Sequence, residues 1–364
     1  MYRIALYINT FYGGGAERAL SVLANQFSLE GFPVTVITTW RNEEDYFLEP
    51  GIERIVLREE DSRCKSSSTI IRNVYLIRNI RNILAARQIN LLISFMGEPN
   101  IRNILATWGT STKSIISVRT DPARAYSGFI GKLIAKRLLP KADGAVFQTK
   151  QQMVWFPEQL QKKSIVIPNP VNENFYSVKR KPVKHRIVTC GRLNAVKNHP
   201  MLIEATALLR ERYPDIQLFI YGDGECREQM EALIVEKQLS SVVYMMGQTS
   251  DVAKALSSAD LFVLSSNYEG MPNALMEAMT VGVPCISTNC PCGGPRELIE
   301  DGKNGFLIPV GDSNALAEKI SYVFDHPDEA EIAGKRAAEK MRDYTAEKIA
   351  ERWENFLLPV CQNK

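Results

Sequence analysis

The 364-residue sequence is poor in histidine and lacks the common patterns of metal sites. It contains three histidines, His185, His199 and His326, all in its second half, and it has no Asp-x-Asp motif. Its seven cysteines, which run from Cys64 to Cys361, form no Cys-x-x-Cys pair and show no zinc-ligand spacing. We therefore expect no bound metal and a reducing, cytoplasmic environment.

Long apolar runs are also absent. No apolar stretch of about 18 residues occurs, which predicts that no helix spans a membrane. The first residues have neither the charged head nor the apolar run of a signal peptide, so we expect no export. The length predicts two or three domains. A hydrophobic fraction of 45% and a charged fraction of 23% are typical of a globular protein.

Charge is unevenly distributed along the chain. Residues 1–170 contain 22 lysines and arginines and 14 acidic residues, whereas the remainder contains 22 and 27. The basic excess is concentrated in residues 66–150, where 13 basic residues accompany three acidic ones. This asymmetry predicts an anionic partner for the first half. Charge alone allows a membrane surface or nucleic acid, but no aromatic residues interleave with the basic run as in a nucleic-acid-binding module.

Short apolar strands alternate with helical stretches, which predicts βαβ units and parallel sheets. Residues 168–185 interrupt this alternation with a stretch rich in Pro, Asn and Lys, which indicates a linker. We predict an α/β protein of two doubly wound, Rossmann-like domains, residues 1–170 and 171–344, with the C-terminal segment 345–364 packing back on the first. Ligands of such sheets bind outside the carboxyl ends of the strands, so two facing domains would enclose a cleft.

Gly14 and Gly15 lie in a Gly-Gly-Gly-Ala-Glu-Arg motif between a predicted strand and a predicted helix. Glycine lets backbone amides approach a ligand, and a helix N-terminus attracts phosphate. The motif lacks the Gly-Lys-Ser/Thr of a P-loop and the third glycine of a dinucleotide fingerprint. A tight strand-to-helix turn explains it equally well.

Arg192 and Lys197 lie in the loop that follows the predicted strand 186–191. The next helix starts near Asn198, a residue type suited to an N-cap. Two cations at the carboxyl edge of a sheet are able to hold a diphosphate without a metal. The alternative is that both are solvated surface charges.

A third block joins the predicted strand 260–266 to the predicted helix 273–281. Pro272 suits the start of a helix, and the amides of Gly270, Met271 and Asn273 would form an anion site at the helix N-terminus.

Two glutamates flank this helix start, with Glu269 before it and Glu277 inside the helix. Because a carboxylate accepts hydrogen bonds from two neighbouring hydroxyl groups, Glu277 suits a ribose and Glu269 a hexose. For either glutamate alone, an exposed surface acid is the alternative.

Two predicted helices carry much of the basic segment. Helix 129–139 places Lys132, Lys136 and Arg137 among apolar residues, a pattern that suits either anionic lipid or packing on a sheet. Helix 69–88 has a similar composition, but its apolar stripe favours ordinary packing on the sheet.

The order of these motifs resembles that of the family 4 glycosyltransferases of the GT-B fold over essentially the whole chain. The resemblance is carried by the Gly-Gly-Ala-Glu-Arg opening, the Gly-Arg…Lys-Asn loop and a Glu-x7-Glu block with the core Glu-Gly-Met-Pro-Asn. Pro-Cys-Gly-Gly-Pro-Arg-Glu at 291–297 continues the last block. The pattern is similar to enzymes that extend lipid-linked oligosaccharides, including α-1,4-N-acetylgalactosaminyltransferases.

The resemblance implies a retaining, metal-independent transfer of a hexose or N-acetylhexosamine from a UDP-sugar, with no further cofactor. Arg192 and Lys197 would neutralise the leaving diphosphate, assisted by amides near Gly270 and Met271. The leaving phosphate oxygen would accept the acceptor proton, so no protein nucleophile is required.

The same resemblance implies that Glu277 binds the ribose and Glu269 the donor hexose, while Gly14 and Gly15 face the diphosphate and the sugar across the cleft. Many family members carry a histidine in the first domain near the sugar. Here Arg119, in the strand end Ser-Val-Arg-Thr-Asp-Pro, takes that place.

The basic segment 66–150 fits an acceptor carried on polyprenyl diphosphate at the inner membrane face. We therefore expect a cytoplasmic protein that associates peripherally with the membrane. Two other functions share the two-domain architecture: a UDP-sugar 2-epimerase and a non-catalytic, two-domain sugar-binding protein.

Overall fold

The computed structural model describes residues 2–42, 44–58, 68–249 and 251–362. Cys64, the first two residues of the basic segment and the last two residues of the predicted C-terminal segment lie outside these described residues. The chain divides into two compact units, Met1–Pro170 with Ala346–Lys364, and Val171–Thr345. The chain therefore leaves the first unit once and returns to it at its end.

The first unit is built on a seven-stranded sheet in which every pair of neighbouring strands is parallel. The strand order is β3-β2-β1-β4-β5-β6-β7, so the direction of winding reverses between β1 and β4. We call this place the first switch point. The strands are β1 Ile4–Ile8, β2 Val34–Thr38, β3 Glu53–Val56, β4 Leu91–Phe95, β5 Lys113–Val118, β6 Gly144–Phe147 and β7 Ser164–Val166.

Helices connect these strands on both faces of the sheet. Seven of them precede the second unit in the described chain: α1 Gly15–Leu29, α2 Thr69–Ala86, α3 Gly97–Thr107, α4 Pro122–Ala125, α5 Gly128–Leu133, α6 Lys150–Trp155 and α7 Glu158–Gln161.

The second unit contains a six-stranded parallel sheet of order β10-β9-β8-β11-β12-β13. Its winding reverses between β8 and β11, which we call the second switch point. The strands are β8 Arg186–Cys190, β9 Gln217–Tyr221, β10 Val243–Gly247, β11 Leu261–Leu264, β12 Cys285–Thr288 and β13 Phe306–Ile308. The helices are α8 His199–Leu209, α9 Arg227–Glu236, α10 Val252–Ser257, α11 Asn273–Val281, α12 Gly294–Leu298, α13 Ser313–Asp325 and α14 Pro327–Met341.

The final helix, α15 (Ala346–Gln362), packs in the core of the first unit. Ile349, Trp353 and Leu357 are buried there with residues of β1, β4 and α1. The apolar residues of this helix recur every four positions and form one face. This face completes a core that includes β1, near the start of the chain.

The predicted α/β class with two doubly wound parallel sheets is confirmed. Strands β2 and β4 and helix α11 have the predicted bounds. The sequence did not reveal β3, β7 or α12. Both strands are partly exposed edge strands without a clear apolar alternation, and α12 is only five residues long.

The two basic helices differ from each other in packing. In α2, Leu76, Ile80 and Leu84 are buried, which confirms that this helix packs on the sheet. The predicted helix 129–139 is helical throughout, but it is α-helical only to Leu133, where α5 ends. The chain continues as a π-helical turn to Leu138 and a short 3₁₀ turn that contains a proline. Within the described residues, no helix is long and apolar enough to cross a membrane.

Candidate active site

The second switch point brings together two loops that the sequence separates by about seventy residues. One loop follows β8 and spans 191–198, and the other follows β11 and spans 265–272. The backbone N–H of Asn267 donates to the carbonyl of Val196 (2.8 Å), and its side-chain amide donates to the carbonyl of Ala195 (2.9 Å). The Ser265 hydroxyl donates to the Lys197 carbonyl (2.8 Å). These hydrogen bonds hold the two loops together at the carboxyl ends of the strands, where doubly wound sheets bind ligands.

An ion pair lies at the centre of this junction. The Lys197 ammonium donates to Glu269 Oε1 at 2.5 Å, and the Ser266 hydroxyl donates to the same oxygen at 2.7 Å. The Lys197 and Glu269 side chains are 21% and 13% exposed. Among the described residues, no hydrogen bond reaches Oε2. The pair therefore fixes the carboxylate and leaves one of its oxygens able to accept a hydrogen bond.

Glycines allow the surrounding backbone to pack very closely. A Cβ at Gly294 would stand 1.8 Å from the Gly270 carbonyl oxygen, and a Cβ at Gly222 would stand 1.9 Å from that of Gly191. Both contacts are with backbone, which has little freedom to move away. The start of α12 and the end of β9 are thus held against the two site loops, which only glycine permits.

Helix α11 begins at Asn273, as predicted, with Pro272 at the N-cap position. Gly270 and Met271 are buried immediately before it. Glu277 is buried in the second turn of the helix. Its burial contradicts the alternative that this glutamate is an exposed surface acid.

The predicted helix start near Asn198 is confirmed, but this residue does not cap the helix through its side chain. Asn198 occupies the N-cap position of α8, but its side chain caps no amide and donates to the Asn267 side-chain oxygen at 3.2 Å. Its backbone is left-handed, at φ 46° and ψ 44°, which points the side chain away from the helix amides. Arg192 is exposed and Lys197 half-buried, so the two predicted cations occupy different environments.

The sequence did not single out His199 or Cys290, which both lie close to the ion pair. Burial, followed by the charge of Lys197, lowers the pKa of His199 to about 4. Burial, followed by the charge of Glu269, raises the pKa of the Cys290 thiol to about 11. His199 is therefore neutral and Cys290 is a thiol at neutral pH. Only their position directly beside predicted site residues could have identified them.

The glycine motif of the first unit forms a strand-to-helix turn, with Gly14 as the N-cap of α1 and Gly15 as its first residue. A Cβ at Gly14 would stand 1.9 Å from Glu17 Oε2, and the Thr10 hydroxyl donates to the other oxygen of this carboxylate at 3.2 Å. A carboxylate thus lies beside the helix N-terminus at which we predict phosphate. The role of Gly14 and Gly15 stays a prediction.

The first switch point contains a buried arginine. Arg102, which is 4% exposed, donates to Asn9 (2.8 Å), Tyr7 (3.1 Å), Asn73 (2.8 Å) and Glu98 (2.7 Å). These four oxygen acceptors satisfy its guanidinium and connect β1, α2 and α3. The sequence did not reveal this network, because its members are distributed over almost one hundred residues.

Arg119 is buried within the first unit. It donates to Ser117 (2.8 Å) and Asn169 (2.5 Å), and its guanidinium stacks on the ring of Phe95 at 4.0 Å. The ring of Trp353 in α15, which stacks on Phe95, lies 5.9 Å from the same guanidinium. Burial lowers the pKa of Arg119 to about 9. The predicted contact between Arg119 and a sugar or phosphate stays a prediction.

The described residues contain no group of three or more His, Cys, Asp or Glu side chains arranged to hold a metal ion. At the second switch point the contacts join the Lys197 ammonium to the Glu269 carboxylate, while Arg192 lies earlier in the same loop as Lys197 and Glu277 lies in α11, which follows Glu269. This set is able to bind an anion together with neighbouring hydroxyl groups.

Comparison with known proteins agrees with this chemistry. Residues 172–340 match the family described as "Glycosyl transferases group 1". An α-1,4-N-acetyl-D-galactosaminyltransferase of Campylobacter jejuni, named for a diNAcBac-PP-undecaprenol glycan, is 27% identical over 367 residues and aligns over 99% of each chain. A second transferase of that organism, named for an N,N'-diacetylbacillosaminyl-diphospho-undecaprenol acceptor, is 24% identical over 98% of this chain and 100% of its own.

A solved structure, that of Anabaena HepE in complex with UDP and glucose, has the same fold. Its TM-score is 0.82 at 17% identity, and the match covers 99% of this chain and 100% of the other. The predicted GT-B architecture is thus confirmed.

Proposed function

Residues 172–340 match the group 1 glycosyltransferases, and from this match we propose that the chain transfers a hexose or N-acetylhexosamine from a UDP-sugar to a saccharide carried on polyprenyl diphosphate. The names of the two Campylobacter relatives support this class of acceptor. The UDP bound to HepE supports the donor class. The match of residues 172–340 to a transferase family favours transfer over the epimerase and sugar-receptor alternatives.

The observation that carries the proposal is the hydrogen bonding of Glu269. Both recorded donors, Lys197 and Ser266, bind Oε1, so Oε2 is oriented but available. An oriented carboxylate oxygen accepts a hydrogen bond from a sugar hydroxyl without first giving up an existing partner. We assign the donor hexose to this oxygen.

The donor diphosphate is assigned to the cations beside this carboxylate. The Lys197 ammonium has three N–H groups and donates one to Glu269, which leaves others for phosphate oxygens. Arg192 is exposed at the start of the same loop and offers a planar, bidentate donor. The amides that precede α11 add the partial positive charge of a helix N-terminus.

Glu277 is assigned to the ribose. It lies one turn into α11, on the helix whose N-terminus would face the diphosphate, so ribose and phosphate would bind along one element. A carboxylate accepts hydrogen bonds from two neighbouring hydroxyl groups, which a ribose offers.

We further propose that the anomeric configuration is retained and that no divalent metal is needed. Negative charge develops on the departing UDP, and Lys197 and Arg192 would stabilise it where other transferases use a cation held by carboxylates. A phosphate oxygen of the leaving group would accept the proton of the acceptor hydroxyl. No residue of the protein then forms a covalent intermediate.

A patch on the first unit supports peripheral contact with anionic lipid. We call it the α5 patch. Its apolar members are exposed and lie beside exposed cations, a combination that binds acidic headgroups and acyl chains together. The patch consists of Phe129, Ile130, Leu133, Lys132, Lys136 and Arg137.

A donor screen tests the catalytic proposal. UDP release from a panel of UDP-sugars is measured with the wild-type protein and with Glu269→Ala. Glu300→Gln is the control, because Glu300 is an exposed glutamate whose ion pair with Lys303 lies outside the two site loops. We expect one UDP-sugar to be turned over in the presence of EDTA and Glu269→Ala to abolish its sugar-dependent binding in saturation-transfer NMR. Binding that survives Glu269→Ala would remove this residue from its role. Activity that requires manganese would contradict the metal-free mechanism, and a product of inverted configuration would contradict retention.

Cosedimentation with phosphatidylglycerol vesicles tests the α5 patch. Reversing Lys132, Lys136 and Arg137 to glutamate should lower the bound fraction at least tenfold, since each basic residue contributes about 1 kcal/mol at an anionic surface. The control reverses Lys237, which is a cation of the second unit. Equal recovery of both proteins with the vesicles would contradict membrane docking through this patch.

A further inference from the structure

The short helix α6 leaves two apolar side chains exposed on the surface of the first unit. Val154 is 61% exposed and Trp155 is 37% exposed. Phe156 and Leu160, which follow in the chain, are buried, so this segment also contributes to the core. Single exposed apolar residues are ordinary, but a group of them that shares one surface marks a place of contact with a partner. The neighbours of this pair therefore decide its meaning.

Tyr126 connects this pair to the α5 patch. The ring of Trp155 stacks on that of Tyr126, with their centroids 6.2 Å apart. Helix α5 packs on the backbone of the same tyrosine, since a Cβ at Gly131 would stand 2.6 Å from the Tyr126 carbonyl carbon. Helix α4, which ends directly before Tyr126, also packs against α6. The exposed apolar side chains of α5 and α6 therefore lie on either side of one tyrosine and share one surface.

Trp155 is held in place by other rings and keeps its polar group available. The Phe156 ring lies 4.9 Å from it in an edge-to-face arrangement, in addition to the stacked ring of Tyr126. Among the described residues, no acceptor meets the indole N–H of Trp155. A tryptophan with a packed apolar ring and an available N–H is typical of the boundary between water and the acyl chains of a bilayer.

The charge of this region indicates what covers the surface. Residues 122–155 contain six basic side chains and one acidic side chain, Asp143, which lies 3.7 Å from the Lys113 ammonium. Lys132, Lys136 and Arg137 are exposed and form no ion pair with any described residue. A second copy of this chain would bring the same cations to the contact, where like charges repel each other, whereas anionic headgroups would neutralise them. The partner that fits is therefore an anionic lipid surface.

We propose that Val154 and Trp155 insert into the headgroup region of an anionic bilayer beside the α5 patch, so that the first unit docks through two helices with Trp155 as the interfacial anchor. This inference rests on the proposed function, which brings the protein to a membrane, and it adds a second docking element to it. Salt screens the attraction between cations and headgroups, but it does not screen the burial of apolar surface. Docking through both helices should therefore be weakened by salt and not abolished.

The first test is cosedimentation of full-length Val154→Glu with phosphatidylglycerol vesicles. The bound fraction should fall about tenfold, because the change puts a negative charge where an apolar side chain meets anionic lipid. Val154 is largely exposed, so the folded state is retained. The matched control is Val235→Glu in α9 of the second unit, where the valine is 67% exposed. Equal binding of the two variants would overturn the role of α6. If reversal of the α5 cations released the protein in that case, the α5 patch would stand without it.

The second test locates Trp155 with vesicles that contain brominated phosphatidylcholine beside phosphatidylglycerol. Bromine should quench the tryptophan fluorescence of the wild-type protein, and Trp155→Phe should remove most of this quenching. Trp108→Phe, which changes an exposed tryptophan at the end of α3, should leave it in place. Quenching that persists in Trp155→Phe, or complete release of the protein at about 1 M salt, would overturn the proposal. A smaller sedimentation coefficient of Val154→Glu without lipid would identify a second copy of the chain as the partner and would also overturn it.

Discussion

The two switch points pair a basic side chain with a glutamate in different ways. At the first, Arg102 and Glu98 lie one turn apart on the same helix, and the arginine is almost fully buried. At the second, Lys197 and Glu269 come from loops 72 residues apart, and both side chains retain some exposure. One pair is formed within an element, and the other joins two elements across the junction.

This difference separates a structural pair from one that is available to a ligand. The guanidinium of Arg102 meets acceptors on Tyr7, Asn9, Asn73 and Glu98, so binding another group would require breaking existing bonds. Lys197 and Glu269 each keep hydrogen-bonding capacity after meeting one another. The number of hydrogen bonds that a charged side chain already makes, more than the presence of an ion pair, therefore distinguishes a structural contact from a binding site.

The largest effect on stability is expected at the first switch point. Arg102→Ala leaves a set of polar groups without their partner and should lower the free energy of unfolding by about 3–5 kcal/mol, as measured by urea denaturation. Arg137→Ala serves as the control, since Arg137 is exposed. A loss no larger than that of the control would show that Arg102 is not the support described above.

The largest effect on turnover is expected at the second switch point. Lys197→Ala should lower kcat about 10²–10³-fold, because it removes a donor to the departing diphosphate. The double variant Lys197→Met with Glu269→Gln removes both charges together. It should be more stable than Lys197→Ala, because it leaves no carboxylate without its partner, but its kcat should stay as low. A rate in the double variant near that of the wild type would sink the catalytic assignment of the pair.

A pH dependence of stability is expected at the second switch point only. The pKa of His199, lowered to about 4 by burial and by Lys197, lies below the ordinary value of 6.5. As the pH falls, the unfolded chain therefore binds a proton on this imidazole before the folded protein does. The contribution of neutral His199 to the free energy of unfolding is complete above pH 6.5 and is lost as the pH falls towards 4. It amounts to at most about 3 kcal/mol.

The measurement is the midpoint of urea unfolding between pH 4 and pH 7. His199→Gln should flatten the profile relative to the wild type. The first switch point contains no histidine, so Asn9→Ala should lower stability equally at all pH values in this range. An unchanged slope for His199→Gln would contradict the assignment.

The smallest effects concern backbone strain beside the two switch points. Met96, at the end of β4, has φ 80° and ψ 164°, a region that residues other than glycine rarely occupy. Met96→Gly relieves this strain but removes a side chain that packs against the core of the first unit, so the two effects oppose each other and the free energy of unfolding should change by less than about 1 kcal/mol. Asn198→Gly should lower it by about 1 kcal/mol, because asparagine tolerates the left-handed region and the change removes the hydrogen bond to Asn267. A gain in stability for Asn198→Gly in thermal unfolding would contradict this expectation.

The local pattern of apolar residues in the sequence predicted helices and strands well where their residues are fully buried. The strand Val34–Thr38 consists entirely of buried residues, and its apolar run identified it to the residue. Pro272 likewise marked the start of α11. By contrast, the apolar spacing of 129–139 did not reveal that the chain changes to a π-helical turn at Ile134–Leu138.

The site was predictable as a set of residue types and not as a geometry. Lys197 and Glu269 were both identified as candidates, but their contact depends on β8 and β11 being neighbours in the sheet. Asn198 has the composition of a cap, yet its left-handed backbone directs its amide to Asn267. Long-range pairing decides such details, and a sequence read locally contains no information on it.

Helix α15 also constrains the order in which the protein matures on the ribosome. Trp353 belongs to the core built on β1 and β4, but it is synthesised after the entire second unit. A nascent first unit thus keeps an open hydrophobic face until the residues of α15 have been synthesised. Premature termination ahead of this helix would deliver a chain whose second unit is complete and whose first unit is a ready substrate for chaperones and proteases.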